Sequence, residues 1–110
     1  MRGVVHCYTG AREMAKELTD LGWYIGFTGI VSFKNSKKAR LVAESLPCDR
    51  ILIETDCPYL APEPLRGRRC DSSMLPYTAA AIAAVRGMET QALIEQTYQN
   101  ACRFYGLDPD

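Results

Sequence analysis

Three short runs of aliphatic, β-branched and aromatic residues, each separated from the next by a stretch of helical periodicity, constrain this chain more than any other feature. Gly3 to Tyr8 (GVVHCY), Trp23 to Gly29 (WYIGFTG) and Ile51 to Asp56 (ILIETD) are the runs. The last begins apolar on both faces, as a strand covered on one side by helices and on the other by core must be. Between them, Met14, Ala15, Leu18 and Leu21 fall on one helical stripe, and Gly22 stands where a left-handed C-terminal cap belongs. Asn35 or Ser36 can cap a second helix ending at Leu46, where Pro47 stops it. Within the second run, Gly26 and Gly29 predict close backbone approach.

After Asp56 the texture changes. Pro58, Pro62, Pro64, Gly67, Arg66, Arg68 and Arg69 occupy an aperiodic stretch reaching Ser73, which reads as a long loop. An Ala-rich helix from Met74 or Leu75 to Arg86, with Pro76 in its first turn, and a last helix from about Gln91 to Tyr105 complete the chain. The order is that of successive right-handed βαβ units: an α/β fold with three parallel strands and flanking helices, in one domain over residues 1–110.

Composition removes several classes of function. The 13 Lys and Arg balance the 13 Asp and Glu, so no global field draws the chain to nucleic acid or anionic lipid, and any such contact must be local. A hydrophobic content of 47% with 24% charged residues excludes disorder. The longest apolar run, Ala79 to Val85, is far short of the roughly 20 residues a membrane span needs, so no membrane partner is expected. Five cysteines, an odd number without a CxxC pair, read as reduced thiols of a cytoplasmic or nuclear protein. A catalytic thiol has a single histidine, His6, to serve as its base.

Parallel α/β folds place ligands beyond the carboxyl ends of their strands. His6 lies near the end of the first run, and Glu54 and Asp56 at the end of the third, both on one strand face by alternation. An imidazole and two carboxylates converging there suit zinc, manganese or magnesium. A satisfied core histidine and an acidic turn cap would leave the same residues in place.

The segments HCYTG (His6 to Gly10), YIGFTGIVSFKN (Tyr24 to Asn35), RILIETDCPYLAP (Arg50 to Pro62), RGRR (Arg66 to Arg69) and TYQNACRFYG (Thr97 to Gly106) together resemble the TatD family of metal-dependent deoxyribonucleases. That resemblance implies a (β/α)8 barrel of the amidohydrolase type. This chain corresponds to its sixth, seventh and eighth strands with their helices, the barrel not closed by this chain alone, since a whole barrel takes roughly 250 residues. It implies hydrolysis of DNA phosphodiester bonds, as an exonuclease, with divalent Mg, Mn or Zn. By resemblance His6 is a metal ligand. Asp56 is both a metal ligand and the catalytic group that takes a proton from the attacking water, while Glu54 orients a ligand from behind or is structural. Arg66 and Arg68 are candidate DNA contacts, because guanidinium binds phosphate in bidentate fashion. Lys34, Lys37, Lys38 and Arg40 form a second basic cluster, a wet helix face or a weak backbone contact. Phe33 and Tyr59 are expected in the core.

The family follows its R-G-x-R with N-E-P, where this chain has Cys70, Asp71 and Ser72. The family's H-x-H, mid-barrel glutamate and fifth-strand histidine have no counterpart. The expectation is therefore a truncated portion, inactive alone, whose two edge strands favour self-association or pairing with a complementary barrel half. A non-catalytic binding or regulatory fragment, and a small-molecule amidohydrolase or lactonase-type enzyme, are the alternatives.

Overall fold

The computed structural model describes residues 3–108. Strands β1 (Val4–Val5), β2 (Tyr24–Phe27) and β3 (Ile51–Ile53) form one parallel sheet in the order β1-β2-β3. The register pairs Val5 with Ile25, Ile25 with Ile51, and Phe27 with Ile53. Helix α1 (Arg12–Asp20) connects β1 to β2, α2 (Lys37–Ser45) connects β2 to β3, and α3 (Leu75–Arg86) and α4 (Thr90–Tyr105) follow.

The central strand β2 is buried on both faces. Ile25, Phe27 and Ile51 pack with Ala15, Val42, Ala43, Ala79, Ile82 and Leu93 from all four helices, so one face of the sheet and the inner helix surfaces make a single core. Tyr24, on the alternate face, is covered by Phe104 of α4 at a ring separation of 5.3 Å. Among the described residues, β1 and β3 each pair on one side only, and the sheet does not close.

Expected and observed elements agree in order and kind, and the strands are shorter. The first run contributes two residues, because the chain turns at His6 and Cys7, where Cys7 takes φ 50°. The third run ends at Ile53, so Glu54 and Asp56 lie just beyond the strand. On α1 only part of the expected apolar stripe is covered: Ala15 is buried, whereas Met14 and Leu21 are exposed. Gly22 carries φ 91°, and Gly87 and Gly106 hold the left-handed caps of α3 and α4.

The foot of the sheet, where β3 begins, is tied from two directions. Asn100 of α4 is fully buried, and its Nδ2 donates to the carbonyls of Cys48 and Ile51, each at 2.8 Å. Its Oδ1 accepts from Gln96 at 2.9 Å, so the buried amide is satisfied on both atoms. Arg86, at the end of α3, donates through Nη1 to the carbonyls of Ala43 and Leu46 at 2.8 and 2.7 Å, serving the otherwise unpaired C-terminal end of α2.

Candidate functional site

The carboxyl edge of the sheet collects the polar residues. His6 follows β1, with its side chain 60% exposed, and Glu54 follows β3, with its side chain 18% exposed. Glu54 is fixed by its own backbone, whose N–H donates to the Phe27 carbonyl at 2.9 Å and extends the β2–β3 ladder by one residue. Its carboxylate then crosses β2 toward the end of β1. There Oε1 accepts the Cys7 N–H at 3.0 Å and pairs with His6 Nδ1.

The crossing depends on Gly26. A Cβ at that position would overlap Glu54 Oε2. Gly29 performs the same service for the loop after Asp56, since a Cβ there would lie 2.7 Å from the Pro62 nitrogen and closer still to the Leu60 carbonyl. Both glycines are thus sites of close approach, as their position in the WYIGFTG run implies.

Asp56 is half-buried, three residues past β3, and its carbonyl accepts the Tyr59 N–H at 2.7 Å to start a turn. Beyond it the chain folds into a cleft of about 440 Å³ lined by Phe33, Pro58, Tyr59, Arg66 and Arg68 among others. The Arg66 guanidinium stacks over the Phe33 ring, 3.9 Å from its centroid. Ser32 braces the loop by accepting the Glu63 N–H at 2.8 Å through its hydroxyl. Phe33 is buried as expected. Tyr59 is not: it is 67% exposed, because the turn from Asp56 carries it outward onto the cleft wall.

Of the residues singled out in the sequence, His6 and Glu54 are brought into direct contact. Among the described residues Glu54 is the carboxylate within ion-pair range of the imidazole. Asp56 stands at the same edge of the sheet, and Arg66 and Arg68 share the neighbouring cleft. A role for Glu54 in holding His6 is consistent with the pairing. An imidazole that gives Nδ1–H to a carboxylate keeps its Nε2 lone pair as the donor position, the arrangement that metal-bound histidines commonly use. The donors are right in kind for a divalent ion. They are short in number: no group of three or more His, Cys, Asp or Glu able to hold a metal occurs among the described residues.

Residues with no role in the sequence reading also shape this edge. The backbone N–H of Cys7 shares Glu54 with His6, and no side-chain signal could have revealed a backbone donor. Burial pushes the Cys70 thiol up, helped by the Cys57 thiol beside it. Burial likewise pushes the Tyr8 phenol up, where the chain leaves the rim and enters the core.

A helix-flanked parallel sheet whose carboxyl edge carries a carboxylate-held histidine, a second carboxylate and an arginine-lined cleft defines an α/β protein of the open-barrel kind. The fold matches that of solved TatD proteins. The YJJV TatD homolog of Escherichia coli K12 superposes with a TM-score of 0.86 at 24% identity, over 96% of this chain and 41% of that one. A hydrolase TatD family protein of Entamoeba histolytica superposes with a TM-score of 0.82 at 23% identity, over 94% of this chain and 42% of that one.

The family model described as TatD related DNase matches residues 1–106, and the chain belongs to that family. The uncharacterized metal-dependent hydrolase YabD of Bacillus subtilis (strain 168) is 42% identical over 106 residues, covering 96% of this chain and 42% of that protein. The 3'-5' ssDNA/RNA exonuclease TatD of Klebsiella pneumoniae (strain 342) is 39% identical over 110 residues, covering 96% of this chain and 42% of that protein. The chain thus spans about two-fifths of the length of the curated relatives it matches. No helix among the described residues is long and apolar enough to cross a membrane.

Proposed function

We propose that residues 1–110 are the partial domain that supplies the last three βα units of a metal-dependent hydrolase of DNA phosphodiester bonds, an exonuclease of the TatD type. The observation that carries this reading is the His6–Glu54 pair, held across Gly26 at the carboxyl edge of the sheet beside Asp56. Glu54 fixes the imidazole with Nε2 available. Asp56 takes the proton of the attacking water, a carboxylate acting as general base. Arg66, steadied on Phe33, and Arg68 bind the phosphodiester backbone in the cleft that opens beside Asp56. A divalent ion, Mg, Mn or Zn, supplies the lowered pKa of bound water and charge neutralisation at phosphorus when the remaining ligands are present.

The test is hydrolysis of end-labelled single-stranded DNA by the complete protein in magnesium or manganese. Asp56→Asn is expected to lower the rate by about a hundredfold or more, the usual scale for a lost general base. An unchanged rate would remove Asp56 from its role.

The short donor set favours a second reading, in which the 110-residue chain alone is silent and binds a partner. Two edge strands and an apolar cleft of about 200 Å³ between Leu52, Ile53 and α4 support pairing with a complementary barrel half or with itself. Size-exclusion chromatography of the isolated chain separates these outcomes, since a compact monomer with full hydrolytic activity contradicts both the silence and the pairing.

A further inference from the structure

Cys57 and Cys70 stand at the two ends of the loop that carries the arginines, and a backbone hydrogen bond draws those ends together. The Cys70 N–H donates to the carbonyl of Pro58, the residue after Cys57, at 2.9 Å. The Cys70 sulfur lies 3.9 Å from the Asp71 carbonyl, and its thiol is pushed up first by burial and then by the Cys57 thiol. Their surroundings differ: Cys57 is exposed, its thiol donating to Thr55 Oγ1 at 2.9 Å, whereas Cys70 is 3% exposed. Cys7 instead places its sulfur 3.8 Å from the Thr28 hydroxyl, and Cys102 is buried within α4.

We propose that Cys57 and Cys70 are a dithiol oxidation site that closes to an intramolecular disulfide on meeting a low-molecular-weight disulfide such as oxidised glutathione. Cys57, the sulfur solvent reaches first, attacks the reagent. A Cys57–glutathione bond forms, the reagent's S–S bond breaks, and one glutathione leaves carrying the displaced electron pair and the proton that Cys57 gave up. Cys70 then attacks the Cys57 sulfur from within the protein. The protein disulfide forms, the mixed disulfide breaks, and the second glutathione leaves with the Cys70 proton. The balance is two protein thiols oxidised and one glutathione disulfide reduced to two thiols. Burial shields Cys70 from the reagent and so assigns it the second step.

The cross-link pins together both ends of the segment bearing Arg66 and Arg68, which line the cleft. Any effect on hydrolysis rests on the function proposed above; the covalent chemistry does not, and its readout involves neither metal nor DNA. The chain is treated with oxidised glutathione under native conditions, alkylated, denatured and digested with trypsin, which cuts after Arg50, Arg66, Arg69 and Arg86. The expected product is Ile51–Arg66 joined to Cys70–Arg86, lost on reduction with dithiothreitol. Cys57→Ser, at an exposed position, is expected to abolish the joined pair, and Cys70→Ser to stop at glutathione on Cys57. Full alkylation of both thiols, a persistent glutathione adduct on wild-type Cys57, or a bond to another cysteine or a second chain would each overturn the proposal.

Discussion

The two ends of β3 make opposite use of the same strand. At its foot, Asn100 and Arg86 reach in from α4 and α3 and give their Nδ2 and Nη1 donors to the backbone around Cys48 to Ile51 and to the end of α2. At its rim, three residues on, the side chains are half-exposed or exposed, Tyr59 and the arginines face a cleft, and one carboxylate serves both an imidazole and a backbone N–H. Parallel α/β folds divide stability and chemistry between the two ends of their strands in this way. The difference teaches that the foot should answer to substitution in stability, and the rim in site geometry.

The sharpest break of that contrast is at Asn100. Asn100→Leu keeps the branched shape of the side chain but leaves the Cys48 and Ile51 carbonyls buried without a donor, and is expected to destabilise the chain by about 3 kcal/mol. Urea denaturation followed by circular dichroism measures it, and a loss under about 1 kcal/mol would deny the foot its anchoring role. Arg86→Met comes next. It removes the donors from the Ala43 and Leu46 carbonyls while keeping an apolar stem, for an expected loss of about 2 kcal/mol. The buried Nε of Arg86, which has no partner of its own, offsets part of what the other nitrogen contributes. A loss at Arg86 equal to that at Asn100 would show the helix cap to matter as much as the buried amide.

Gly26→Ala probes whether the rim is coupled to the strand beneath it. The added methyl occupies the place of Glu54 Oε2, so the carboxylate must swing away from Cys7 and His6, at a cost of between about 1 and 2 kcal/mol. In an amide proton–nitrogen spectrum the Cys7 resonance is expected to move both in Gly26→Ala and in Glu54→Ala. A Cys7 amide unmoved by the alanine at 26 would mean that Glu54 does not cross the strand at that point.

The contrast also explains what was legible in the sequence. Order and type of the elements follow from periodicity and from punctuation by Gly22, Pro47, Pro76 and Gly87, all local signals. The special glycines at 26 and 29 were readable as close approaches, but not what approaches them, since Glu54 and Leu60 arrive from distant parts of the chain. His6, Glu54 and Asp56 stood out because polar residues at the ends of apolar strands are anomalous. Alternation predicted that Glu54 and Asp56 would share a face of one strand; the strand stops at Ile53, and periodicity cannot say where a turn overrides it. Tyr59, expected in the core, is outside for the same reason, because an aperiodic loop gives no rule for which side its aromatics take.

The smallest effect concerns the cleft wall. Arg66 stacks on Phe33 with its guanidinium in an exposed loop, where a cation over an aromatic face contributes roughly 0.5–1 kcal/mol. Arg66→Lys keeps the charge but loses the planar surface and the paired donors, so stability should fall by less than about 1 kcal/mol. If the cleft takes phosphate as proposed, affinity for a short single-stranded oligonucleotide should fall more than stability does, because a point charge cannot reproduce two parallel hydrogen bonds to one phosphate. Fluorescence anisotropy with a labelled oligonucleotide, set beside urea denaturation of the same variant, reads both quantities. A variant that loses stability but binds as before would place Arg66 with the foot rather than the rim, a residue that packs and does not touch the ligand.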